Sequence, residues 1–123
     1  MVHRTAQLPT EAELDRVPTD ITTMRTSARR ALTEAHDTND LTTLAHTLRS
    51  HMQVLIPEVE AAAGQQPEDS IPRYCALACV GEARRKLRIG NGQTLPARVA
   101  VAQKLARCVN ALCDHYENLG GLR

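Results

Sequence analysis

The chain is predicted to be an all-α protein, an antiparallel four-helix bundle with a short N-terminal tail. Of its 123 residues 42% are apolar, yet there is no Phe, no Trp and only two Tyr. An aliphatic, Ala-containing core suits closely packed helices, because strands favour β-branched and aromatic residues. Four stretches repeat apolar residues at spacings of three and four, and short polar segments join them. Neighbouring helices are therefore expected to run antiparallel.

The N-terminal region is predicted to be a tail over residues 1–18, and the bundle domain to cover residues 19–121. Two prolines interrupt the tail, although its TEAEL segment can form one helical turn. The first helix is predicted to begin at Thr19 or Asp20. Residues 36–40, HDTND, are typical of a turn and end this helix.

The second helix is predicted to begin at a cap formed by Asn39 or Asp40 and to end at Gly64. Its apolar residues keep helical spacing past Pro57. Because proline lacks the amide that the preceding turn needs, we expect Pro57 either to kink this helix or to restart it.

The last two helices carry clear start signals. Ser70 and Thr94 are predicted caps, and Pro72 and Pro96 follow in the first turns, where a missing amide costs nothing. The first half of the third helix, residues 74–83, is apolar nearly all round and is predicted to be the most buried segment. The predicted core positions are Leu48, Met52, Leu55, Leu77, Ala78, Leu105, Val109 and Leu112.

Charge and composition disfavour several classes of function. The net charge of +1 provides no field that would attract nucleic acid or a membrane surface, and the lack of aromatic residues removes the stacking platform of single-strand binders. No apolar run approaches the roughly 18 residues of a spanning helix, and the N-terminus has no signal-peptide pattern. We therefore expect a cytoplasmic protein with four reduced thiols.

Three segments resemble a known family. The segments LIPEVE (55–60), CALACVGEARRKLR (75–88) and LARCVNALCDHYENL (105–119) are similar to small proteins of Streptomyces and its relatives. That family has no known function and is generally named natural product biosynthesis protein. The resemblance covers about residues 40–120 and implies an accessory role near secondary-metabolite genes. It implies no ligand, cofactor or catalytic residue.

The four cysteines are first interpreted as small apolar core residues. Cys75 and Cys79 lie four apart and share a helix face, whereas Cys108 and Cys113 lie about 140° apart around theirs. This spacing suits a closed tetrahedral zinc site poorly. A zinc or copper site that combines these four thiols with His115 is kept as an alternative hypothesis.

Histidine positions give weak signals for chemistry. His115 cannot pair with Cys113, because residues two apart on a helix point about 200° apart. His51 lies at the edge of the apolar face of the second helix, where it could reach a cysteine of the third or fourth helix. A hydrogen-bonded structural role is the competing interpretation.

Glu82 is the main candidate for a functional acid, because it lies on the apolar side of the third helix near Cys75 and Cys79. A carboxylate in such a place must be paired, protonated or exposed to a cavity. We predict that Glu82 is at least half buried and contacts an arginine, either Arg98, Arg85 or Arg49. If it lines a cavity, an acid–base role in a small enzyme is the alternative.

The sequence as a whole favours a non-enzymatic binding or interaction protein, accessory to actinomycete natural product biosynthesis or its regulation. We expect a protein or small-molecule partner, no cofactor, no nucleic acid and no membrane, and allow for a homodimer. A metal-binding bundle and a small biosynthetic enzyme are the alternatives. The candidate contact residues are Glu82, Arg85, Arg98, His51, Tyr74 and Tyr116.

Overall fold

The structure is a computed structural model that describes residues 20–34 and 36–120. Within these residues the chain is all-α, which confirms the predicted helical bundle. The predicted tail, residues 1–18, and both limits of the predicted bundle domain lie outside the described residues. The four helices are α1 (Ile21–Thr33), α2 (Thr38–Gly64), α3 (Ile71–Lys86) and α4 (Leu95–Asn118).

Each helix begins at a side-chain cap. Asp20, Ser70 and Thr94 accept hydrogen bonds from amides three residues onward. Ser70 and Thr94 are the predicted caps. The prediction of Asn39 or Asp40 as the cap of α2 is wrong. Asp37 caps this helix, and its carboxylate accepts from the amide of Asp40 at 2.8 Å. Asp37 lies three residues before the amide that donates to it, which is the usual geometry of an N-cap. The helix therefore begins earlier than predicted, at Thr38.

Helix α2 continues without a break through Pro57, so the helix does not restart there. Pro57 lies on the exposed side of α2, as does Gln53, whose carbonyl loses its amide partner. A carbonyl on the exposed side is solvated by water, which explains why the helix tolerates this proline.

Helices α2 and α4 form the central pair of the bundle and share its largest interface. They run in the same direction, because Leu41 and Arg98 meet near their first turns and Ala62 and Tyr116 near their last. Helices α1 and α3 flank this pair, and within the described residues they share no interface with each other. This is the up-and-down arrangement that short connections favour.

The core lies along the central pair. Among the described residues it is built mainly from Leu, Ile, Val and Ala, with Tyr116 as its one aromatic member. Two predicted core positions are wrong, because Leu77 is 39% exposed and Ala78 is also exposed. No helix in the described ranges is long and apolar enough to cross a membrane. The predicted core residues that are fully buried are Leu48, Met52, Leu55, Leu105, Val109 and Leu112.

Candidate functional site: the cleft between α3 and α4

A cleft of ≈ 380 Å³ opens between the two helices α3 and α4. Its α3 wall carries residues at spacings of three and four, which places them along one stripe of the helix. The lining residues of α4 also lie along one stripe of their helix, and the two helices run antiparallel. The cleft is lined by Cys79, Glu82 and Lys86 from α3 and by Lys104, Arg107, Cys108 and Ala111 from α4.

Glu82 lies at the mouth of this cleft and is paired locally. Its carboxylate accepts hydrogen bonds from Lys86 and, at 2.6 Å, from Arg85. Its side chain is 46% exposed, so the predictions of half burial and of an arginine contact are confirmed. Bonds from Lys86 first and Arg85 second lower the pKa of Glu82 to about 2. The carboxylate is therefore ionised at neutral pH.

Lys104 and Arg107 supply positive charge on the opposite wall. Neither forms an ion pair with an acidic residue in the part of the chain that the structure describes. Both are exposed at the rim of the cleft. Sequence reasoning missed them, although their spacing with Cys108 and Ala111 marks one face of α4. With Lys86 engaged by Glu82, these two cations give the cleft a net positive charge.

The thiols of Cys79 and Cys108 lie together in the floor of the cleft. Burial, with a further contribution from Cys108, raises the pKa of Cys79 to about 11. Burial also raises the pKa of Cys108, against the opposing effect of Lys86. Both side chains are therefore neutral thiols at physiological pH, and they behave as small apolar groups and poor nucleophiles.

The other two cysteines lie elsewhere, so the structure does not form the four-thiol site of the metal hypothesis. Cys75 is exposed on the outer side of α3, and Cys113 is buried in the core. Burial raises the pKa of Cys113 to about 11. Across the described residues, no group of three or more His, Cys, Asp or Glu side chains is arranged to hold a metal ion. All four thiols are free.

Arg49 and Arg98, two of the predicted partners of Glu82, instead hold the loop between α3 and α4. Arg49 donates to Asn91 Oδ1 and to the carbonyl of Ile89, both at 2.6 Å. Arg98 donates to the carbonyl of Gly92 at 3.3 Å. Gly92 has a φ of 85°, and a Cβ there would lie 2.8 Å from that of Ala97. These two arginines therefore hold a tight turn and do not contact Glu82. The partners of Glu82 are residues of its own helix, α3.

His51 does not reach a cysteine across the bundle. Its Nε2 lies 3.2 Å from Ser27 Oγ on α1, within hydrogen-bond distance. Burial lowers the pKa of His51, and Asp20 opposes this effect. His115 lies in the last turn of α4, near the carboxyl end of the helix dipole. Neither histidine lines the α3–α4 cleft.

The two tyrosines occupy opposite environments. Tyr116 is 8% exposed and lines a second cleft, of ≈ 290 Å³, between the last turns of α2 and α4. Among the described residues, Glu58 is the only charged side chain that lines this second cleft. Tyr74 is 76% exposed on the outer side of α3. The structure thus separates both tyrosines from the α3–α4 cleft.

Comparison with known proteins places the chain in a family. Residues 22–121 match the family of unknown function DUF6415. The chain belongs to this family. The matched region spans α1 to α4, so membership applies to the whole bundle. No curated protein matches the chain, and no solved structure matches it.

Proposed function

We propose that this DUF6415 protein is a non-enzymatic binding protein and that the α3–α4 cleft receives a small organic anion. The observation that carries this proposal is the pair Lys104 and Arg107, which face an apolar floor and have no acidic partner among the described residues. Cations beside apolar surface favour a ligand that combines a charged head with an apolar body.

The size and charge of the cleft suit a carboxylate with a compact hydrocarbon part. Its volume of ≈ 380 Å³ lies at the lower end of ligand sites, which span about 300–1,000 Å³. Arg107 can bind a carboxylate through two parallel hydrogen bonds, and Lys104 adds a point charge. The neutral thiols of Cys79 and Cys108 then contact the hydrocarbon part. Because the cleft is open to solvent, we expect affinities of about 10⁻⁵–10⁻³ M.

The state of the ionisable groups supports binding over catalysis. A general acid or base works best when its pKa lies near the working pH. Glu82, with a pKa of about 2, holds no proton to donate at neutral pH and accepts one poorly. Cys79, with a pKa of about 11, is not a thiolate nucleophile. Glu82 and Cys79 therefore do not suit the acid–base and nucleophilic roles that the small-enzyme alternative would need.

We place this binding role in the cytoplasm, as an accessory function in actinomycete natural product biosynthesis or its regulation. Support for this setting comes from the resemblance of segments 55–60, 75–88 and 105–119 to proteins of that name. A cleft for small organic anions is compatible with such a setting, since many biosynthetic intermediates carry carboxylates.

A titration with octanoate, followed by two-dimensional amide NMR, tests the anion site. We expect saturable shifts at Cys79, Lys104, Cys108 and Ala111, and no comparable shifts with the neutral analogue octanamide. Raising the salt concentration should weaken binding, because exposed charges are screened.

A double variant, Lys104→Gln with Arg107→Gln, tests the role of the two cations. Each exposed charge pair is worth up to about 1 kcal/mol, so losing both should weaken octanoate binding about tenfold. The matched control is Arg29→Gln with Arg88→Gln, which removes the same charge from exposed positions outside the cleft. Equal binding of octanoate and octanamide, or equal weakening by both double variants, would refute the proposal.

A further inference from the structure

The two ends of the α3–α4 cleft differ in polarity. Because α3 and α4 run antiparallel, Lys86 and Lys104 lie at the end nearest the loop that joins the helices. Cys79 and Ala111 lie at the other end, about 10 Å further along the helices. The cleft therefore has a cationic end and an apolar end, which we call the lysine end and the thiol end.

Positive charge prevails at the lysine end. Glu82 is paired there with both Lys86 and Arg85, so one anion faces two cations. Lys104 and Arg107 add two further cations on the opposite wall. A ligand carboxylate is therefore most stable at the lysine end, because opposite charges attract at short range.

Negative charge prevails beyond the thiol end. Asp114 lies one turn past Ala111 on α4 and accepts a hydrogen bond from Arg25 of α1 at 2.8 Å. The same guanidinium donates to Glu117 at 2.6 Å, so two carboxylates share one cation. Burial is the main cause of the raised pKa of Cys79, and the charge of Asp114 adds to it. The negative charge of Asp114 therefore acts on the thiol end.

We propose that the cleft selects linear monocarboxylates over dicarboxylates of the same length, and that Asp114 is the residue that rejects the second carboxylate. This proposal rests on the anion site proposed above and narrows its ligand class. The single carboxylate lies between Lys104 and Arg107, and the hydrocarbon chain extends towards Ala111. A second carboxylate at the far end of the chain would enter apolar surroundings near Asp114, where both desolvation and repulsion oppose it.

The same charges fix the orientation of a monocarboxylate. In the reverse orientation its head group would leave Lys104 and Arg107 and approach Asp114, while its hydrocarbon chain would lie among cations. The selection against dicarboxylates is moderate, because the Asp114 side chain is 62% exposed and Arg25 offsets part of its charge. We therefore expect a difference in affinity of roughly fivefold.

Titrations with octanoate and with octanedioate, followed by amide NMR, test the selection. Octanedioate should bind wild type roughly fivefold more weakly than octanoate. Asp114→Asn should bring the two affinities to within about twofold, because it removes the repulsive charge and keeps the size of the side chain. Helicity and melting temperature should stay near wild type, since Asp114 is exposed and Arg25 keeps its bond to Glu117.

The matched control is Glu117→Gln. It removes the same charge from the same group of paired side chains, but one turn further from the cleft. This variant should keep the preference for octanoate that wild type shows.

Intermolecular NOEs test the orientation without any substitution. The terminal methyl group of octanoate should show NOEs to the methyl group of Ala111 and none to the side chain of Lys104.

Four results would overturn the proposal and leave the anion site intact, provided that octanoate still binds better than octanamide. They are equal affinities of wild type for octanoate and octanedioate, an unchanged preference in Asp114→Asn, an equal loss of preference in Glu117→Gln, and NOEs from the octanoate methyl group to Lys104. Equal binding of octanoate and octanamide would instead refute the anion site itself, and this proposal with it.

Discussion

Helices α1 and α3 occupy equivalent places on opposite sides of the α2–α4 pair, yet they are built in opposite ways. Helix α1 turns its large apolar side chains, such as Ile21 and Met24, into the core and presents threonines and arginines to solvent. Helix α3 turns small residues inward and leaves Ile71 and Tyr74 in solvent. The outward sides of the two helices therefore differ far more than their positions do.

The difference shows that residue size, as well as polarity, decides which face of a helix is buried. The inward face of α3 consists of Ala76, Val80 and Ala83, which let α3 approach both α2 and α4 closely. A bulky residue such as Tyr74 could not fit there without pushing the helix away. Close packing along the small face therefore leaves the larger apolar residues outside.

The largest expected effect is the loss of stability when a large buried residue of α1 is truncated. Truncation of a large exposed residue of α3 is the comparison. Met24→Ala on α1 should destabilise the fold by about 2–5 kcal/mol, because it leaves a cavity in the core. Tyr74→Ala on α3 should cost less than about 0.5 kcal/mol in dilute protein, where this face is in solvent. Urea melts at micromolar concentration measure both values. Similar costs for the two variants would mean that α3 is rotated from its described orientation.

A smaller effect is expected from enlarging one alanine on each side of α3. Ala83→Leu should destabilise the fold by about 1–3 kcal/mol, because the inner face has no room for a larger side chain. Ala78→Leu is its matched control, since both residues are good helix formers and position 78 is exposed. Thermal melts at low concentration compare the two variants. If the inner position 83 accepts leucine as readily as the outer position 78 does, close approach is not the reason for the orientation of α3.

The sequence predicted α1 and the central pair well because these helices alternate clearly between apolar and polar sides. Leu48, Leu55, Leu105 and Leu112 occupy the core as their spacing requires. Helix α3 could not be oriented in this way, because it is apolar on nearly all sides and periodicity gives no preferred face. The error at Leu77 has this origin.

The candidate site was only partly predictable for a related reason. Glu82 could be singled out as a charge within an apolar helix, and its local bond to Arg85 follows from their spacing of three. The meeting of Cys79 with Cys108 depends on how α3 and α4 face each other, which no local pattern encodes. The bonds from Arg49 to the loop before α4 span about 40 residues and were equally invisible.

The smallest effect concerns the polar half of α3, where Glu82 should titrate with a pKa of about 2 in place of its usual 4.5. The lowered pKa means that the folded state favours the ionised carboxylate. Its stabilising contribution is therefore complete above pH 4.5 and is lost as the pH falls towards 2. The ion pair is exposed to solvent, so the change in unfolding free energy should be small, and the titration itself is the better observable.

Carbon-detected NMR of the Glu82 carboxyl between about pH 1.5 and 7 measures this pKa directly. Lys86→Met should raise the pKa of Glu82 most and Arg85→Met less, because the bond from Lys86 is the larger cause of the shift. Lys104→Met removes a cation from the opposite wall of the cleft and should leave the pKa of Glu82 nearly unchanged. A wild-type pKa near the usual 4.5 would show that neither cation holds the carboxylate, and Glu82 would again be a candidate proton carrier in the cleft.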